Sequence, residues 1–133
     1  MKFDLNQFEK FIAPSGRMTP FATFDANAKI YFSSAAAKQH NIFERNYKFA
    51  QLFLNKQERI IAIKLLNEQT EGALQLKLLP QGGAFINAKS FAFKYEMMSG
   101  EKLSETYKGK YLLEEAELEG EGDVFFINLN QKK

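Results

Sequence analysis

The sequence predicts a β-rich α+β fold in which two tandem β-β-α-β-β halves follow a short N-terminal helix. Short apolar runs alternate with turn-forming stretches at the spacing typical of strands. The order of elements across residues 19–66 recurs across residues 73–129. The chain has 133 residues, of which 14% are aromatic. This is enough apolar material for one core, and we therefore expect a single domain over residues 1–133.

Residues 1–18 are predicted to form the N-terminal helix and a linker. The stretch "DLNQFEKFI", residues 4–12, places apolar side chains at helical spacing, with Asp4 as its cap. The stretch "APSGRMTP", residues 13–20, contains two prolines and one glycine, which interrupt any regular pattern.

The first half, residues 19–66, is predicted to contain four strands around one helix. Ser33 is a good N-cap because its hydroxyl can accept from the free N–H groups of the next helical turn. The alanine-rich stretch 34–41 that follows favours a helix. Strands are predicted at 21–25, 29–32, 46–54 and 60–66, with a turn at 26–28 and a hairpin loop at 55–59.

The second half, residues 73–129, is predicted to repeat that order. Its first strand alternates apolar and polar residues, which predicts that Leu74, Leu76 and Leu78 point inward together. Asn87 is the predicted cap of a helix over 88–97. Strands are predicted at 73–79, 84–86, 108–119 and 124–129, with turns at 80–83 and 120–123.

The two halves can be aligned residue by residue. An offset of 54 places Phe85 on Tyr31, and an offset of 64 places Tyr111 on Tyr47. The difference between the offsets lies in the loop "MSGEKLSETY", where an insertion costs little. The alternative is an α+β domain whose strands happen to alternate in a similar way.

The stretch "FATFDANAKIYFSSAAAKQHNIFERNYKFAQLFLNKQERIIAIKL" resembles the AbrB/MazE/SpoVT family of swapped-hairpin barrels. Asp25 matches the acid that ends the family's first strand, and Ala28-Lys29 replaces its Gly-Lys turn. Asn41-Ile42 and Arg45-Asn46 stand where the family has Gly-Ile and Gly-Asp. The signature glycines are absent from the first half, whereas Gly82 and Gly83 restore the turn glycine in the second.

The resemblance implies that two such units interlock into one barrel, here within a single chain. It also implies a non-enzymatic, transcription-regulator-like protein that binds double-stranded DNA near the first turn. By position, Lys29 is the best match to the family's DNA-binding residues, and Arg17 is the next.

The charge distribution also favours the first half as a polyanion-binding surface. Residues 14–70 carry eight cations against four acids, whereas residues 71–133 carry eight against ten. The candidate nucleic-acid-binding residues are Arg17, Lys29, Arg45, Lys48, Lys56 and Arg59. The alternative function is a protein–protein interaction module of a phage, mobile element or antitoxin type. A homodimer is compatible with either function.

No motif in the sequence predicts catalysis, a cofactor or a metal site. Phosphate loops, nucleophile elbows and HExxH helices are all missing. The lone His40 is expected at a helix end, where it favours the helix dipole. The acids from Glu114 to Asp123 suggest a solvated hairpin, with a calcium site as the alternative. The lack of cysteine, of a signal peptide and of a membrane span predicts a cytoplasmic protein that does not enter membranes.

Overall fold

The computed structural model of the chain describes residues 2, 4–9, 20–99 and 106–132. Within these ranges the fold is β-rich, as the sequence predicts. Nine antiparallel strands form one sheet that curls into a nearly closed, barrel-like shape. Neither helix in the described ranges combines the length and apolar character that crossing a membrane requires.

The elements follow one another in an order that can be compared directly with the prediction. A 3₁₀ turn at Leu5–Gln7 comes first. Two helices have both ends within the described residues, α1 (Ser34–Gln39) and α2 (Lys89–Ser99). The strands are β1 (Phe21–Phe24), β2 (Lys29–Phe32), β3 (Phe49–Asn55), β4 (Ile60–Leu66), β5 (Leu74–Leu78), β6 (Ala84–Asn87), β7 (Gly109–Leu112), β8 (Glu114–Leu118) and β9 (Gly122–Asn128).

The strand order across the sheet is β7-β1-β2-β6-β5-β3-β4-β9-β8. The two strands at its ends, β7 and β8, are therefore consecutive in the chain and are joined only by Leu113. That side chain is buried. A bridge between Tyr111 and Lys132 further links β7 to the segment that follows β9. The chain itself thus draws the two edges of the sheet together.

Strands from the two halves pair with each other at four places: β2 with β6, β4 with β9, β1 with β7 and β3 with β5. At the first, Tyr31 of β2 lies opposite Phe85 of β6, flanked by the pairs Ile30–Ile86 and Phe32–Ala84. At the second, β4 pairs with β9 through Ala62–Phe126, Ile61–Ile127 and Ile63–Phe125. Neither half therefore forms a sheet of its own, and both contribute to one core.

The core fills the interior of the curled sheet. Alternation along each strand sends one face inward, as in β1 and β2, where Ala22, Phe24, Ile30 and Phe32 are buried. Across the interior lie Ile61, Ile63, Ile86, Tyr111 and Ile127, all fully buried. Burial of apolar side chains on this scale is the main stabilising contribution to such a fold.

The strands and the helix predicted for the first half from local sequence patterns are present in the structure. The strands at 29–32 and 60–66 match β2 and β4, and other element ends differ by a few residues. The Ser33 cap is confirmed, since its hydroxyl accepts from Ala36 N at 3.1 Å. Asn87 accepts from Lys89 N at 3.2 Å, but it is the last residue of β6, and α2 begins two residues later.

Three expectations are wrong. Of the predicted helix 4–12, residues 10–12 lie outside the described residues, and residues 4–9 contain only a 3₁₀ turn at 5–7, because so short a helix rarely persists without packing. The predicted long strand 108–119 is divided at Leu113, which turns inward. Leu76 is buried, but Leu78 is 44% exposed, because it lies at the end of β5, where the core stops.

Candidate nucleic-acid interface

Strand directions place several loops at the same rim of the sheet. The β1–β2 turn (25–28), the start of α2 and the start of β7 meet there, because Lys29 pairs with Asn87 and Phe24 pairs with Gly109. The β3–β4 turn (56–59) and residues 129–132 join them, because Lys132 Nζ donates to the Lys108 carbonyl oxygen at 3.2 Å. Leu129 N also donates to the Arg59 carbonyl oxygen at 2.9 Å. We call this edge of the sheet the basic rim.

The basic rim carries a clear excess of positive charge. Among the residues whose side chains are described, its acids are Asp25 and Glu58. Its cations in the same ranges are Lys29, Lys56, Arg59, Lys89, Lys94, Lys108 and Lys132. Seven cations against two acids leave a local net charge of +5, whereas the whole chain has +2. Such a concentration attracts polyanions.

The β1–β2 turn is held rigidly by its own acid. Asp25 Oδ1 accepts from Asn27 N at 2.9 Å and from Lys29 N at 2.8 Å. These bonds support Ala28 in a left-handed conformation, with φ of 58°, which is unfavourable for a residue with a Cβ atom. Asp25 is therefore occupied inside the turn, and Lys29 is positioned where the turn enters β2.

A cleft of about 910 Å³ lies between this turn and the start of α2. Lys29 and Lys89 both line it, and the described part of its lining contains no acid. Polar groups from Asn27, Asn87 and Ser90 complete its wall. The cleft therefore combines two ammonium groups with amide and hydroxyl groups, which is a chemistry suited to phosphate oxygens.

A second set of cations surrounds the β3–β4 turn. Lys56 and Lys94 line a cleft of about 250 Å³ between β3 and α2. The guanidinium of Arg59 lies over the Tyr107 ring, with its carbon 6.0 Å from the ring centre. Contact with an aromatic face limits the motion of the guanidinium while leaving its charge in place.

The other candidate residues lie elsewhere. Arg45 and Lys48 precede β3 and so lie at the opposite rim. Arg45 Nη1 donates to the Tyr47 hydroxyl at 3.3 Å, a contact that raises the pKa of this guanidinium further above its usual value. Arg17 lies outside the described residues. The structure thus brings together Lys29, Lys56 and Arg59, and it separates Arg45 and Lys48 from them.

The opposite rim has mixed charge. The β8–β9 hairpin brings its acids to this rim, where Glu121 Oε2 and Lys64 Nζ form an ion pair at 3.0 Å. A cleft of about 340 Å³ lies between α1 and the β5–β6 turn (79–83). It is lined by one cation, Lys38, and one acid, Glu44. A polyanion gains little from such a surface.

His40 is at the end of α1, as predicted, and its backbone N–H donates to the Ala36 carbonyl oxygen at 3.1 Å. Its buried ring has a specific environment that the sequence did not indicate. Nδ1 lies 2.7 Å from Glu115 Oε1, and the ring packs on Phe125 with 4.6 Å between centres. These contacts attach α1 to the β8–β9 hairpin. Residues 2, 4–9, 20–99 and 106–132 contain no group of three or more His, Asp or Glu side chains that could hold a metal ion.

No known protein family, curated protein or solved structure gives a significant match to this chain. The resemblance to the swapped-hairpin barrels stays a prediction that rests on the residues quoted for it. Functional inference therefore depends on the surface of the chain itself.

The sequence pattern missed the contribution of the second half to the basic rim. Lys89, Lys108 and Lys132 lie within residues 71–133, whose net charge is negative. A charge count over that segment therefore does not indicate that these lysines lie at a positively charged rim. The positions of these lysines at the basic rim follow from the directions of the strands. The residue after β6 and the residues before β7 must lie at the rim that holds the β1–β2 turn, provided that β2 pairs with β6 and β1 with β7.

Proposed function

We propose that this chain is a non-enzymatic protein that binds double-stranded DNA through its basic rim, in the manner of a transcription regulator. The observation that carries the proposal is the convergence of seven cations on one rim, from segments far apart in the sequence. Lys29, Lys56 and Arg59 come from the first half, Lys89, Lys94 and Lys108 from the second, and Lys132 from the segment that follows it. Several phosphates in a row can be neutralised by such a surface, with release of their counterions.

We also propose that the fold is a swapped-hairpin barrel made of two tandem β-β-α-β-β units. The register of β2 with β6 supports this, because Phe85 lies 54 residues after Tyr31 and pairs with it. The same offset of 54 carries Ile30 to Ala84 and Phe32 to Ile86. A twofold rotation therefore converts the flanking pair Ile30–Ile86 into the other flanking pair, Ala84–Phe32. A twofold axis between the rings of Tyr31 and Phe85 accounts for all three pairs.

Two further features support the duplication. Phe126 lies 64 residues after Ala62 and pairs with it, which repeats the same symmetry in β4 and β9. Ala28 and Gly82, 54 residues apart, both have positive φ, of 58° and 105°. The alignment near β7 shifts by one residue, however. Under the two offsets, the pair Ala22–Tyr111 of β1 and β7 corresponds to Leu76 and Tyr47. Leu76 N instead donates to the carbonyl oxygen of the next residue, Lys48, at 2.8 Å.

The test compares charge reversal at the two rims. The double variant Lys56→Glu/Arg59→Glu changes the basic rim, and Lys38→Glu/Arg45→Glu makes the same charge change at the opposite rim. Anisotropy of a labelled duplex, measured between about 50 and 200 mM salt, gives affinity and its salt dependence. We expect the first variant to bind at least about tenfold more weakly and to lose about two from the salt slope. The second variant should match the wild type.

Two outcomes contradict the proposal. One is a wild-type protein that binds no duplex even at about 50 mM salt, where electrostatic attraction is strongest. The other is an equal loss in both double variants, which would mean that net charge rather than the basic rim governs binding.

The second candidate function is a protein–protein interaction module. Exposed aromatic side chains favour it, since Phe93 on α2 and Phe43 after α1 are 63% and 41% exposed. Large aromatic residues are enriched at protein interfaces. In that case Phe93→Ser would abolish capture of a partner from native lysate, while duplex binding would be absent in the wild type.

A further inference from the structure

The outer face of strands β7, β1, β2, β6 and β5 has an unusual composition. Alternation points these side chains outward, and they contain three aromatic rings, three lysines and no acid. The outward residues are Lys110, Leu112, Phe21, Thr23, Lys29, Tyr31, Phe85, Asn87, Gln75 and Lys77. We call Phe21, Tyr31, Phe85 and the three lysines the lysine–aromatic face.

One continuous row crosses all five strands. In it, Lys110 pairs with Thr23, Thr23 with Tyr31, Tyr31 with Phe85, and Phe85 with Lys77. Neighbouring strands lie about 4.8 Å apart, so the row extends for roughly 19 Å. The two central rings are 5.4 Å apart between centres and are tilted by 31°. They form a shallow platform with a lysine at each end of the row.

Each lysine lies against a ring. The ammonium groups of Lys29 and Lys77 are 5.3 and 5.9 Å from the centre of the Phe85 ring, and that of Lys110 is 4.6 Å from the Phe21 ring. The rings are half-buried and the Lys77 and Lys110 side chains are exposed, so these cation–π contacts are only partly desolvated and are weak, and an aromatic ligand can replace the ammonium over the ring. The displaced ammonium would remain beside the ligand and could pair with an anion attached to it.

We propose that the lysine–aromatic face binds single-stranded nucleic acid by stacking unpaired bases on Tyr31 and Phe85. Every base has a π-face, and each base is connected to phosphates that Lys29, Lys77 and Lys110 can neutralise. Paired bases inside a duplex do not present their faces to such a surface. This inference differs from the duplex proposal in its form of nucleic acid and in its binding groups, since the rings lie on the outer face of the sheet and Lys29 is the one residue that belongs to both surfaces.

The test measures binding of oligothymidine and oligouridine of about 15 nucleotides, a length within the usual site sizes of single-strand binders. Tyr31→Leu/Phe85→Leu removes the rings but retains apolar side chains. Phe43→Leu is the matched control, an exposed aromatic residue away from this face. We expect the double variant to lose at least about 25-fold in affinity for the single strand, the low end for two lost stacking contacts. The control should be unchanged, and duplex affinity should stay within about twofold.

Tyrosine emission gives a second readout. The chain has five tyrosines and no tryptophan, so its emission reports on tyrosine alone. A base stacked on Tyr31 should quench part of this emission. Tyr31→Phe retains a ring for stacking, so it should keep the affinity of the wild type and lose that part of the quenching.

The lysines supply a further variant in case the leucine variant does not fold. Lys77→Gln/Lys110→Gln leaves all the rings in place and should lower the salt slope for the single strand by about 1.4. Wild-type protein that fails to bind either oligonucleotide at about 50 mM salt overturns the proposal. So does a folded leucine variant that binds as well as the wild type, since phosphate contacts alone would then explain binding. Loss confined to oligouridine or to oligothymidine supports the proposal and identifies RNA or DNA as the ligand.

Discussion

The clefts at the two rims are built from matching elements but differ in chemistry. At the basic rim the β1–β2 turn faces α2, and at the opposite rim the β5–β6 turn faces α1. The first cleft presents Lys29 and Lys89, whereas the second presents Lys38 and Glu44. Similar elements thus form two clefts, of which only the first is lined by two cations and by no acid among the described residues. The charge of each cleft is therefore set by the side chains that line it and not by the elements that form it.

The two turns reach a similar backbone conformation by different means. Ala28 is held in the left-handed region by the hydrogen bonds of Asp25. Gly82, 54 residues later, needs no such support because glycine adopts positive φ without steric cost. The first turn therefore depends on the carboxylate of Asp25, whereas the second depends on a glycine, which has no Cβ atom.

Core substitutions should have the largest effects and test whether the two halves contribute equally. Ile63 and Ile127 lie 64 residues apart, on the paired strands β4 and β9, and both are fully buried. We expect Ile63→Ala and Ile127→Ala each to lower the free energy of unfolding by about 2–5 kcal/mol, through lost burial and the cavity left behind. Urea denaturation measures both losses. A difference of more than about 2 kcal/mol between them would show that the halves do not share the core equally.

Exchanging residues between the turns should have a smaller and asymmetric effect. Gly82→Ala places a Cβ atom at a φ of 105°, and we expect a loss of about 1–3 kcal/mol from backbone strain. Ala28→Gly relieves strain but removes a buried methyl group and adds chain entropy, so it should change stability by less than about 1 kcal/mol. Thermal unfolding of the two variants provides the comparison. Equal losses would contradict the distinction drawn between the turns.

Substitution of Tyr111 should have a modest effect on stability at neutral pH and a clear one in alkali. Its buried hydroxyl donates to the Tyr107 carbonyl oxygen, and burial raises its pKa from 10.0 to about 12. Below the unfolded-state pKa both states are protonated, so this contribution to stability is fully present there. It is lost as pH rises from about 10 through about 12, because the unfolded chain releases the proton first.

The variant Tyr111→Phe tests that assignment. It should cost about 0.5–1.5 kcal/mol at neutral pH through the lost hydrogen bond. Its denaturation midpoint should then fall less steeply above pH 10 than that of the wild type. Parallel pH profiles for the two proteins would mean that other groups govern alkaline unfolding.

Much of the fold could be predicted from the sequence because its signals are local. Ser33 before an alanine-rich stretch specifies a capped helix, and alternation in "KIYF" specifies a half-buried strand. The division of the stretch 108–119 could not be predicted in this way. It depends on Leu113 entering a core that exists only once the sheet has curled, and Leu78 is exposed because the core ends before it.

The candidate surfaces were less accessible to sequence reasoning, for the same reason. Lys29 was found because it stands beside a recognisable turn. Lys110 and Phe85 come to lie on the same face only because β1 pairs with β7 and β2 pairs with β6. Both pairings join residues more than 50 positions apart in the sequence. The alignment of Tyr31 with Phe85 was visible in the sequence, but their contact was not.

The pairing of β1 with β7 also has a consequence during synthesis. Phe21 lies opposite Leu112, so one edge of β1 has no partner until some 90 more residues have been added. At about 5–20 residues per second, that delay is roughly 5–20 seconds. An uncovered strand edge is a template for pairing with other chains. A nascent chain of this protein is therefore expected to be most prone to aggregation just before its last three strands emerge, and slower translation of that segment should lower its soluble yield.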